Sequence, residues 1–301
     1  MREISREFPV TGRPDLDIEL SFGELELVAG PEGMVKIEVT QSLSLKDEAR
    51  ADRALEDWRF EFSQTGDRVR MEGSSRRNVI WDWDPVRQVH CTVRITAPRA
   101  CNLSIKGVQV RTEIDRIDGD VVLRTDGGRF YAQHVAGDFS AKTLGGQVVL
   151  SSAAGAVDVN IGTGQVLIGT ASGPVDVSSQ GGVVEIQQAA DAVKIRGDTL
   201  DVLLGLANPR RGEASVRTAV GSIVLKVEQT ASVLIDATAP WLGEVKARGL
   251  ELDVLSGAAG SSRLKARLND GDSKVRLRAS GGLVSIVGVE PLGLTLAAGD
   301  R

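Results

Sequence analysis

The chain has 301 residues, 34 of them glycine, with 42% apolar and only 4% aromatic residues, which suits many short strands and turns around a narrow core. A formal net charge of -5, from 36 Lys and Arg against 41 Asp and Glu, offers no global attraction to phosphate backbones, so nucleic acid is not an expected partner. No stretch approaches the ~20 apolar residues of a membrane span, and the charged start (Arg2, Glu3, Arg6, Glu7) has no apolar run of signal-peptide length, so a cytoplasmic location is expected.

Residues 1–100 read as a mixed capping segment. Alternation in Leu16-Asp17-Ile18-Glu19-Leu20, Leu25-Glu26-Leu27 and Val35-Lys36-Ile37-Glu38-Val39 predicts strands. Lys46 to Trp58 predicts one short helix, with Ala51, Ala54, Leu55 and Trp58 on one stripe. Further on, Trp81 and Trp83 stand near Arg76, Arg77 and Arg87, where two projecting indoles could anchor a partner or stack on a sugar. The structural alternative is that they belong to the cap and cover the first coil of the repeat region. Cys91 and Cys101 are expected as reduced thiols.

From Gly119 the pattern becomes periodic. Gly119, Gly128, Gly137, Gly146, Gly155, Gly164, Gly173 and Gly182 recur at a constant spacing of nine. With each glycine as position one, the third position runs from Val121 and Phe130 through Val157 and Val175 to Val202, and the fifth from Leu123 and Ala132 through Val159 and Val177 to Leu204. Positions two apart share one face of a strand, so this face is the core. The corners alternate in kind. Gly127-Gly128, Gly145-Gly146 and Gly181-Gly182 are double glycines, whereas Ala136-Gly137, Ala154-Gly155 and Ser172-Gly173 lie between them. The coil is therefore eighteen residues with two strands, and identical positions in successive coils stack about 4.8 Å apart. The register reaches upstream to Leu103 and Ile105, breaks near Asn208-Pro209-Arg210-Arg211, and resumes less regularly at Ile223, Val233, Val245, Leu264, Val275 and Val284. The predicted fold is all-β: a parallel β-solenoid, or β-helix, over 101–301, most regular at 119–206, behind the 1–100 cap. Ten to eleven coils would span about 50 Å.

The N-terminal pattern, the strand Val93-Arg94-Ile95-Thr96-Ala97-Pro98 and the Gly-Asp-Val-Val-Leu repeats together resemble the DUF4097 family, bacterial β-strand-repeat proteins often labelled adhesins. The resemblance implies a β-helical fold and supplies no catalytic residue to carry over.

Little in the chain suggests reactive chemistry. Gly145-Gly146-Gln147-Val148-Val149-Leu150 lacks the third glycine and the aspartate of calcium-binding nonapeptides. Asp158 and Asp176 should stack as outward carboxylates, solvated and close to Lys142, Lys194 and Arg196. His90 and His134 are the only histidines, and neither belongs to a recognisable metal-ligand set or hydrolytic triad. No cofactor and no enzymatic activity are expected. The distinctive outward feature is an apolar stripe at position four of the double-glycine strand: Tyr131, Val149, Leu167 and Leu203, interrupted by Glu185. Contiguous apolar surface usually marks a contact. The expected function is a non-enzymatic scaffold or protein-interaction module, with a protein partner or self-association; the alternative is an adhesin-like or carbohydrate-binding surface protein.

Overall fold

The computed structural model describes residues 1–43, 58–75, 89–208, 211–241 and 243–290. Its strands are β1 (Arg2–Pro9), β2 (Asp15–Ala29), β3 (Met34–Leu43), β4 (Trp58–Thr65), β5 (Arg68–Ser75), β6 (Val89–Ala97), β7 (Asn102–Ile117), β8 (Val121–Val135), β9 (Phe139–Ala153) and β10 (Val157–Ala171). They continue as β11 (Val175–Ala189), β12 (Val193–Leu206), β13 (Ala214–Val220), β14 (Ile223–Glu228), β15 (Val233–Thr238), β16 (Val245–Arg248), β17 (Asp253–Gly257), β18 (Arg263–Leu268), β19 (Ser273–Gly281) and β20 (Val284–Val289). No helix occurs among the described residues. The helix predicted over Lys46–Trp58 lies outside them except for Trp58, which begins β4 and is buried.

The molecule is a parallel β-solenoid. Each of β8 to β11 is a bent ribbon whose first arm turns at a glycine-rich corner into a second arm. Successive ribbons pair in parallel at eighteen residues, which stacks Val121, Phe139, Val157, Val175 and Val193 in one column. All repeat positions three and five from Val121 to Leu204 are buried, with Val157 at 2% and Val159 at 1% exposure. The alternation follows from strand geometry, since side chains two apart project to the same side. A third inward row, Val135, Ala153, Ala171 and Ala189, closes the cross-section, and its small side chains fit the narrow end of the coil. At the double-glycine corner the hydroxyls of Thr143 and Ser179 turn inward and donate to the carbonyls of Gly145 (2.6 Å) and Gly181 (2.9 Å), so these polar atoms are satisfied within the turn.

The opposite corner carries a ladder of side-chain acceptors. Asn102 Oδ1 accepts the N–H of Asp120 (3.1 Å), Asp120 Oδ1 that of Asp138 (2.9 Å), and Asp138 Oδ1 that of Ala156 (2.8 Å). Ala156 offers no acceptor, and the residue stacked beyond it is Pro174, which has no N–H to satisfy. One coil further, the N–H of Ala192 donates to the carboxylate of its own neighbour Asp191 (2.6 Å). A stretch of sequence without visible regularity is thus matched donor to acceptor.

Stack order departs from chain order at both ends. β2 pairs in parallel with β7 along nearly its whole length, Leu16 against Leu103 and Leu25 against Thr112. The later strands β5 and β6 lie outside β2, and the antiparallel strands β4 and β3 lie beyond those, with β1 on β3. The C-terminal end repeats this arrangement. β13 and β14 continue β12, but their next neighbours are β19 and β20, and β15 with β16 comes after them. Antiparallel β18 and β17 finish the stack. β2 at one end and β19 with β20 at the other are thus inserted one layer inward of strands adjacent to them in the chain, where they gain hydrogen-bonded partners on both sides. Among the described residues the parallel layers are β5/β6, β2, β7, β8, β9, β10, β11, β12, β13/β14, β19/β20 and β15/β16, eleven in all and about 50 Å long.

Cys91 and Cys101 are free and buried, and burial pushes both thiols up to about 12. At Cys101 the nearby Arg13 opposes this without overcoming it. The thiolate is the reactive form, so a disulfide-exchange reagent at pH 8 should label the native protein slowly and both cysteines fully after denaturation. Rapid labelling of the folded protein would contradict the burial of these thiols.

Candidate functional site

Side chains that project outward from stacked arms line up into columns. On the second arm, parallel pairing places Tyr131 beside Val149, Val149 beside Leu167, Leu167 beside Glu185, and Glu185 beside Leu203. The next layer adds Val224, paired with Leu203. The predicted stripe residues are therefore neighbours about 4.8 Å apart. All of them are half-buried, each shielded by the side chains above and below. Val224 escapes a search at multiples of eighteen, because the turn after β12 breaks the spacing. Tyr131 turns its hydroxyl to Ser151 Oγ at 3.4 Å. Trp81 and Trp83, the other predicted contact residues, lie outside the described residues.

Beside this stripe, the missing side chains at the double-glycine corner leave a groove of about 660 Å³, lined among others by Glu24, His90, Arg111, Arg129, Gln147 and Gln165. Gln147 Nε2 donates to Gln165 Oε1 (2.9 Å), forming an amide ladder along the groove. Arg111 is engaged by Glu24 at 3.2 Å. The groove is polar and has no enclosed reactive constellation. His134 sits on the same arm with Nδ1 3.1 Å from Ser152 Oγ.

On the first arm, Asp158 and Asp176 stack as neighbours. Asp176 contacts Lys194 (3.6 Å) and Arg196 (3.1 Å), so cations share this end of the carboxylate pair. Its neighbouring outward column is a line of cations that sequence reading did not single out: Lys106, Arg124, Lys142, then Asn160 and Ser178, then Arg196, Arg217 and Arg278. The first three and Arg196 could have been found at multiples of eighteen. Arg217 and Arg278 join only through the irregular C-terminal stacking.

No family model and no curated protein matches this sequence. Solved structures similar to it include a "putative adhesin" from Parabacteroides merdae, 9% identical with a TM-score of 0.36 over 95% of this chain and 96% of that one. A second "putative adhesin", from Parabacteroides distasonis, is 10% identical with a TM-score of 0.36 over 94% and 97%. A "putative lipid binding protein" from Parabacteroides distasonis is 12% identical with a TM-score of 0.30 over 94% and 96%. At these identities and TM-scores the likeness assigns neither ligand nor activity.

Proposed function

We propose that the protein is a non-enzymatic interaction module in which the rigid solenoid presents the second-arm stripe to another protein, a second copy of the chain being the simplest partner. The observation that supports this is the continuity of Tyr131, Val149, Leu167, Leu203 and Val224 across stacked coils, an apolar strip on a face that solvent alone does not require. Burying one such side chain fully contributes roughly 1.5 to 3 kcal/mol, and a two-fold symmetric pair of chains would use the strip twice. Glu185 in its middle limits complete burial to the segments on either side.

Sedimentation tests the reading. The parent protein is expected to associate in the micromolar range, and Leu167→Lys to sediment as a monomer with an unchanged melting temperature, since its side chain points away from the core. If parent and variant sediment alike at every concentration, the stripe is tolerated surface and the reading fails.

A further inference from the structure

The cation column on the first arm has a different chemistry from the stripe and lies on a different face. Lys106, Arg124 and Lys142 occupy three consecutive coils, and Arg196, Arg217 and Arg278 occupy three more after a gap of two. All six are exposed. Arg196 is the only one of the six with an ion pair among the described residues, to Asp176. At the N-terminal end of the rod, by contrast, outward cations face carboxylates, Arg68 with Asp17, Arg70 with Glu19 and Arg94 with Glu26. Like charges stack about 4.8 Å apart within each run, and the carboxylates beside them, Glu19 stacked on Lys106 and Asp176 beside Arg196, are fewer than the cations, which leaves the column net positive and complementary to an anion outside the molecule.

We propose that this column binds a linear acidic polysaccharide whose carboxylates run along the rod. The column covers seven coil spacings, about 34 Å, in a straight line. An extended pyranose advances its chain by about the thickness of one coil, so sugar units keep pace with successive coils and the carboxylates that face the rod can reach cations in both runs. The two coils between the cationic runs present Asn160 and Ser178, groups suited to sugar hydroxyls, and here the surface dips into an open depression of about 330 Å³ shared with Arg196 and Arg217. A single-stranded nucleic acid fits less well, because its binding sites add aromatic platforms for the bases. The adjacent outward column, Ser104, Val122, Ser140, Asp158, Asp176, Lys194, Ser215 and Arg276, holds no aromatic residue.

The experiment measures binding of labelled polygalacturonate oligomers to the whole protein, with neutral dextran and oligo-dT as comparison polymers. Two variants each remove two charges, Arg124→Gln with Lys142→Gln and Arg217→Gln with Arg278→Gln. A control removes two exposed charges off the column, Arg59→Gln with Arg248→Gln. The parent should bind polygalacturonate and not dextran, with affinity falling as salt rises. Each column variant should bind on the order of tenfold more weakly at an unchanged melting temperature, and the control should match the parent. Equal binding of dextran, column variants that bind as the parent does, or tighter binding of oligo-dT would each overturn the proposal. Leu167→Lys should leave this binding intact, so the outcome is separable from that of the second-arm stripe.

Discussion

Replacing Val175 with Asp should unfold the protein or bring it close to unfolding. Val175 is 2% exposed and stacked between Val157 and Val193 in a column of apolar side chains running from one end of the coil ladder to the other. A carboxylate there would have no cation or donor within the core and would either stay charged in an apolar interior or take up a proton at a cost. An uncompensated buried charge typically costs about 3 to 5 kcal/mol, a large share of the roughly 5 to 15 kcal/mol that holds an ordinary domain folded. The residue immediately after it supplies the contrast. Asp176 points outward to Lys194 and Arg196, and Asp176→Ala removes only surface ion pairs worth up to about 1 kcal/mol. Chemical denaturation of the two variants should therefore separate adjacent residues by several kcal/mol. An unchanged midpoint for Val175→Asp would mean that the inward register is wrong.

The second large effect is expected at the double-glycine corner. Gly146 has φ of 100°, and a Cβ placed on it would lie 2.2 Å from the carbonyl oxygen of Gly128 in the coil below. Two separate costs therefore fall on Gly146→Ala: a backbone conformation that L-residues avoid, and a clash with main chain that cannot move without breaking the ladder. Together they should lower stability by about 3 kcal/mol or more. Gly127, the first glycine of the equivalent pair one coil earlier, is the internal control, because the nearest heavy atom to its added Cβ is 4.0 Å away. Gly127→Ala should change the unfolding free energy by less than about 1 kcal/mol. Equal effects at the two positions would show that the corner relaxes freely and that the glycine ladder is not a steric requirement.

A spacing of nine with alternating corners was enough, without any coordinates, to determine the eighteen-residue coil, the inward faces and the neighbours along the apolar stripe. The reason is local: side chains alternate with period two, and a solenoid with constant coil length stacks residues at a constant offset. The same arithmetic exposes Lys106, Arg124, Lys142 and Arg196 as one column. It has no hold on the two ends, where coil length varies and non-local pairing decides which strands are neighbours. Nothing in the sequence between Arg217 and Arg278 announces that they are stacked; they meet because β19 inserts between β13 and β15. Leu16 and Leu103 likewise meet across 87 positions because β2 lies directly on β7. In the regular middle, by contrast, the eighteen-residue offset by itself places Pro174, which has no N–H, next to Ala156, which has no side-chain acceptor. Periodicity thus determined the middle of this protein, and hydrogen-bond satisfaction at the open edges of the stack decided its ends.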